Sequence, residues 1–176
     1  MNRRPACAAL LALAALGGGA GCVPGGRTPP PLVPGAPAFD PVAFFAGRTH
    51  GTGALHIVFR RAQATDVRGV GTPAGDGGIV LDQDVVQGTA PPKHRRWRLR
   101  PNGPGRYAGT LTDAVGPVVA TARGSGLRIA FAMKGGLKVE QRLSLQPGGR
   151  VALNVMTVRK LGVVVARLDE RIERQE

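Results

Sequence analysis

From Gly53 to Arg171 apolar positions recur every second residue, and Gly or Pro interrupts the pattern at intervals of roughly ten to fifteen residues. Leu55, Ile57 and Phe59 alternate with His56, Val58 and Arg60. Arg95, Trp97 and Leu99 alternate with Arg96, Arg98 and Arg100, and Leu127, Ile129, Phe131 and Met133 with Arg128, Ala130, Ala132 and Lys134. A period of two places one set on each face of a strand. The same period runs through 79–87, 107–112, 118–123, 139–145, 151–158 and 163–171, and more weakly through 65–72, which Gly69 and Gly71 loosen. This makes about ten strands with almost no helical periodicity. Many short strands with regular turns predict an all-β fold, an antiparallel barrel of about eight to ten strands or a sandwich. The charged end, Arg167 to Glu176, suits a frayed or helical tail as well as a strand.

The chain ahead of the strands has a different character. Phe39–Gly47 (FDPVAFFAG) is short and apolar. Asp40-Pro41 can open a single helical turn, with Pro at its first position, and Phe44 and Phe45 would then plug one end of the core. Val23–Ala38 has six prolines and three glycines in 16 residues. Such a stretch cannot bury a core and favours extended polyproline geometry. Leu10–Cys22 (LLALAALGGGAGC) is an apolar run ending in small residues and a cysteine, with Arg3 and Arg4 ahead of it. That layout looks like a bacterial lipoprotein signal. The likeness implies cleavage between Gly21 and Cys22, a diacylglyceryl thioether on Cys22 and anchorage on a membrane. Gly19 departs from the leucine usual three places before the cysteine. Ordinary cleavage after Gly17 or Gly21 would instead give a soluble periplasmic protein. Val23, rather than Asp, after the cysteine resembles the outer-membrane case, facing the periplasm. The expected division is a signal over 1–21, a lipidated cysteine and linker over 22–38, and one barrel domain over 39–176.

Charge and cysteine narrow the partners. The formal charge of +13 falls to +11 without Arg3 and Arg4. So basic a chain would ordinarily suggest nucleic acid. An exported protein rarely meets it, so no nucleic-acid partner is expected and anionic envelope components fit better. Cys7 leaves with the signal, so Cys22 has no partner for a disulfide.

No catalytic constellation stands out. Ser125 and Ser144 are the only serines and neither lies in a Gly-x-Ser-x-Gly elbow. His50, His56 and His94 fit no metal-ligand spacing. No catalytic residue, metal or cofactor is therefore assigned. Asp82 and Asp84 share a strand face and could supply half a calcium site, but no oxygen-rich loop is near. Cross-strand pairs are the better reading, with Asp84 opposite Arg96 and Asp82 opposite Arg98. If the barrel keeps a pocket, the inward positions Leu55, Ile57, Phe59, Arg95, Trp97, Leu99, Tyr107, Ile129 and Phe131 line it. Arg95 among apolar walls suits a ligand with an anionic head and an apolar tail.

The order of several motifs resembles an uncharacterised family of bacterial lipoproteins, domain of unknown function 3833. These motifs are Phe44-Phe45-Ala46-Gly47, Leu81-Asp82-Gln83-Asp84-Val85, Arg95-Arg96-Trp97, Gly109-Thr110 with Asp113, and Lys160-Leu161-Gly162. The family's glutamate and phenylalanine in the second motif are replaced here. Its acidic and aromatic stretch before the last strands reads Val139-Glu140-Gln141-Arg142-Leu143-Ser144. The resemblance spans about Phe39 to Glu173 and implies a lipocalin-like barrel, with no established activity. The resulting expectation is a membrane-anchored envelope lipoprotein that binds a lipid or other amphiphile. The alternatives are an assembly lipoprotein that docks partners through a basic face, and an enzyme using Asp and Arg groups at the barrel mouth.

Overall fold

A computed structural model describes residues 30–176. The apolar run Leu10–Cys22, the lipidation expected at Cys22 and the division at residue 21 lie outside the described residues. A one-turn helix α1 (Pro41–Phe45) precedes ten strands. These are β1 (Gly47–Ile57), β2 (Gln63–Pro73), β3 (Ile79–Gln87), β4 (Lys93–Pro101), β5 (Arg106–Leu111), β6 (Val118–Arg123), β7 (Gly126–Met133), β8 (Leu137–Leu145), β9 (Val151–Lys160) and β10 (Val163–Arg174). Each pairs antiparallel with its neighbours in sequence, and β1 pairs with β10 to close the barrel. Closure leaves no free sheet edge. Among the described residues no helix is long and apolar enough to cross a membrane.

The expected period of two is the inside–outside alternation of the barrel wall. Ile79, Leu81 and Val85, then Trp97 and Leu99, and Leu127, Ile129 and Phe131 are buried, while Arg96, Arg98, Arg100 and Arg128 face solvent. The last segment takes the strand reading rather than the frayed or helical alternative. β10 runs to Arg174 because it is paired on both sides, Thr49 to Arg174 on β1 and Glu173 to Val151 on β9. Two ladders satisfy its backbone, and Leu168 and Ile172 point inward.

The two ends of the barrel differ. At one end α1 closes it. Asp40 Oδ1 accepts from the Val42 and Ala43 amides at 2.8 and 3.3 Å, and Pro41 occupies the first turn. Phe44 lies between Phe39 and Phe45, with ring centroids 5.2 and 4.9 Å apart, and all three rings are buried. The plug expected of Phe44 and Phe45 is formed. Residues 30–38, expected as linker, run against this same end. Ser144 Oγ donates to the Pro31 carbonyl at 2.7 Å, and the Val33 amide donates to Ser125 Oγ at 3.2 Å. The other end is a mouth framed by five turns: 58–62, 88–92, 112–117, 134–136 and 161–162.

The β3–β4 register corrects the expected ion pairs. Asp82 lies opposite Arg96 and Asp84 opposite His94, two places from the expected pairing, while Arg98 faces Val80. The turn between the strands, 88–92, sets this register, and a shift of two keeps the same face outward. Arg96 grips Asp82 with two bonds of 2.6 and 2.9 Å. His94 reaches Asp84 through Nδ1 and Asp82 through Nε2, both at 3.1 Å. The Arg96 guanidinium holds the Asp82 carboxyl below its usual range, and Asp84 and Asp82 together push His94 up. Asp82→Lys is expected to lower stability and to be partly rescued by Arg96→Glu, read by urea unfolding of the single and double variants. Among the described residues no group of three His, Cys, Asp or Glu side chains could hold a metal.

Candidate ligand cavity inside the barrel

Inward side chains leave a cavity of about 90 Å³ along the barrel axis. Its lining begins at Phe45, Ile79 and Ile172 beside the plug and reaches Gln87 and Arg95 towards the mouth. Of the nine pocket positions expected from sequence, Leu55, Arg95, Trp97, Leu99 and Ile129 line it. Phe131 is buried behind Trp97, edge to face at 5.5 Å, and Ile57 and Tyr107 are partly buried against the core without lining the cavity. Phe59 is a correction. β1 ends at Ile57, and Phe59 stands in the following turn at φ 61°, 90% exposed. The alternation continues through residue 59, but the chain has already left the wall.

The cavity has a polar side that the strand pattern did not reveal. Thr65, Gln83, Gln87, Gln141, Asn154 and Glu170 all line it. Ladder pairing puts four of them in one row. Asn154 opposes Glu170, Glu170 opposes Gly53, Gly53 opposes Thr65, and Thr65 opposes Gln87. The wall therefore carries a polar band across β9, β10, β1, β2 and β3, while Trp97, Leu99, Ile129 and Leu143 on β4, β7 and β8 also line the cavity.

Hydrogen bonding within this band is incomplete. Trp97 Nε1 donates to Gln83 Oε1 at 2.7 Å, and Asn154 Nδ2 donates to Glu170 Oε2 at 2.9 Å. Thr65 Oγ1 and Asn154 Oδ1 are buried and make no hydrogen bond. A buried polar atom without a partner typically costs about 1–3 kcal/mol, so two beside one cavity call for an explanation. Gly51 makes room for the acidic member: a Cβ there would run into Glu170 Oε1.

Arg95 is less free than its inward position suggests. Its Nε lies 2.9 Å from Asp113 Oδ2, in the turn 112–117, although the two atoms are not aligned as a hydrogen bond. Lys93 Nζ lies 3.0 Å from the other Asp113 oxygen. Arg95 also acts on Glu170, favouring its charged form. Asp113 therefore already engages this guanidinium, which argues against it as a free anchor for an anionic head.

Burial pushes the Glu170 carboxyl up from its usual range, although Asn154 and Arg95 both oppose the shift. The folded chain thus keeps a proton that an unfolded glutamate releases near 4.5. Stability contributed by that proton is fully present below the unfolded value and is lost as pH rises to the folded one. Glu170→Gln is therefore expected to match the parent near pH 4 and to become the more stable of the two as pH rises towards 8. Urea unfolding across that range checks it, and a pH-independent difference would contradict the protonated carboxyl.

Known proteins add a fold and a family. Ten solved chains match this one. An S-type phycobiliprotein lyase from Guillardia theta superposes with a TM-score of 0.61 at 7% identity, over 77% of this chain and 90% of the other. A protein of unknown function from the DUF3598 family of Nostoc punctiforme superposes at 0.59 and 12% identity, over 79% of this chain and 50% of the other. At such identities the likeness concerns the fold alone, and that fold is a lipocalin-like barrel. No curated protein matches the sequence. Residues 33–174 match the family described as Protein of unknown function (DUF3833), and the chain belongs to that family.

Proposed function

We propose that this protein is an envelope lipoprotein, anchored through Cys22 to the outer membrane and facing the periplasm, whose barrel binds a lipid or other small amphiphile. The observation that carries the binding reading is an internal cavity onto whose walls Thr65 Oγ1 and Asn154 Oδ1 contribute unpartnered polar atoms. A ligand group that donates hydrogen bonds would satisfy them. Arg95 is already engaged by Asp113, and the buried Glu170 carboxyl disfavours a second acidic group beside it, which favours an uncharged head, such as a hydroxyl or an amide, over the carboxylate or phosphate first expected from Arg95 alone. The apolar lining of Trp97, Leu99, Ile129 and Leu143 would take the apolar part. The volume of about 90 Å³ is below the roughly 300–1,000 Å³ of pockets for drug-sized molecules, so only part of a lipid would lie inside it. The phycobiliprotein lyase supports the reading as a likeness of barrel only.

Native mass spectrometry of the protein purified from a producing envelope tests both halves. A diacylglyceryl mass on Cys22 is expected, together with a stoichiometric adduct that solvent extracts. Thr65→Val should keep the fold and weaken the adduct, because it removes an unpartnered atom while roughly preserving shape; Asn154 is left in place because its Nδ2 donates to Glu170. An apo mass with no uptake of added long-chain alcohols, amides or phospholipids would overturn the binding reading. It would favour partner docking at the outer face of β3–β5, where Arg98 and Arg100 line a hollow of about 400 Å³.

A further inference from the structure

The mouth carries side chains that the barrel does not need. Phe59 is 90% exposed, Leu161 94% and Val163 66%. They stand on adjoining turns, because β1 and β10 are neighbours and the Val58 amide donates to the Val165 carbonyl. Single exposed apolar residues are ordinary; a cluster on one rim marks a contact surface.

Backbone geometry strengthens the point. Leu161 and Gly162 form a two-residue turn with φ 50° and 84°, and Phe59 sits at φ 61°. Both central positions of a type I′ turn require positive φ and favour Asn-Gly. A leucine there is strained and packs against nothing. Local rules broken without a packing gain point to function.

Charge identifies the partner. Arg60 and Arg61 flank Phe59; Arg159 and Lys160 flank Leu161; Lys134 and Lys138 lie on the next turn and strand round the rim, where Leu137 pairs with Lys160. All six are exposed, and none has a carboxylate within ion-pair distance among the described residues. Asp113 is the one acidic residue in the five turns of the mouth, and Lys93 and Arg95 already neutralise it. Apolar tips set beside an arc of unpaired cations are complementary to a surface with negative headgroups over hydrocarbon.

We propose that the mouth rim docks on an anionic lipid bilayer, with Phe59, Leu161 and Val163 entering the headgroup–acyl boundary and the surrounding arginines and lysines binding the headgroups. This is independent of what the cavity holds and of any acyl group on Cys22, since residues 30–38 lie at the opposite end.

The test uses the whole chain carrying Cys22→Ser, so that no acyl anchor contributes. Leu161→Trp places an indole on the rim; the native Trp97 is buried and does not sense it. On vesicles of phosphatidylcholine with brominated phosphatidylglycerol, the new indole should shift to the blue and be quenched, and salt should weaken both effects. Vesicles of brominated phosphatidylcholine alone should give neither. Adding Phe59→Ser, Arg60→Glu and Lys160→Glu should weaken the effect about tenfold or more. Leu161→Trp emission unchanged on the anionic vesicles overturns the proposal, and so does equal quenching on the neutral ones. Membrane association through Leu10–Gly21 alone would leave the rim indole unquenched and counts against it. A protein partner would be revealed by rim protection without lipid, which also overturns it.

Discussion

Trp97→Ala is expected to destabilise the barrel by about 3–5 kcal/mol, the range for emptying a large buried aromatic site. Three contributions converge on this side chain. Its ring is 6% exposed and meets Phe131 edge to face, and its indole nitrogen donates to Gln83. Truncation removes the buried area, enlarges the cavity and leaves Gln83 Oε1 without that donor. Trp97→Phe separates these effects. It keeps much of the apolar contact and should lose only about 1–3 kcal/mol, mainly through the orphaned amide. Urea unfolding followed by circular dichroism measures both, since the fluorophore itself is removed. Equal losses for the two variants would mean that the hydrogen bond, not the packing, dominates. A ligand seated against this wall would be lost in Trp97→Ala even where the fold survives.

Gly71→Ala is expected to be nearly as damaging, on the order of 3 kcal/mol, although it adds one methyl group. Gly71 lies on β2 beneath α1, and a Cβ there would run into the Phe45 carbonyl oxygen and the Ile79 side chain. A carbonyl in a capped turn has little room to yield. The plug must lift, which exposes Phe39, Phe44 and Phe45 and opens the closed end of the cavity. A lowered unfolding midpoint together with new binding of a hydrophobic dye is the expected pair of results. A lowered midpoint without dye binding would place the damage in β2 rather than in the plug.

Much of this was legible because the large inward residues are apolar. The runs of Leu81 and Val85, of Trp97 and Leu99, and of Ile129 and Phe131 mark the inner face without further help. The polar side of the cavity was harder to see because its members break that alternation. Gln83 sits between Leu81 and Val85, Gln141 between Val139 and Leu143, and Glu170 between Leu168 and Ile172. Each holds an inward parity that its neighbours define, so the signal was position rather than residue type. Arg95 was visible for the opposite reason: an inward charge is conspicuous. Its partner was not, because Asp113 comes from a turn 18 residues on, whose reach no spacing rule supplies. Phe59 was misplaced because periodicity alone does not say where a strand stops.

The seam between β1 and β10 has a kinetic meaning. It joins strands separated by nearly the whole barrel, and Thr49 meets Arg174 only after every other strand has been made. Contacts of such sequence separation form slowly, because a long loop must close before any of them is gained. Until residues 163–174 are present, the nine earlier strands form an open sheet with two unsatisfied edges, and its inner face is wet. A chain of this topology keeps a long window in which it is still unfolded enough to be threaded through a pore or held by a chaperone. The wall closes into a barrel only when residues 163–174 join it.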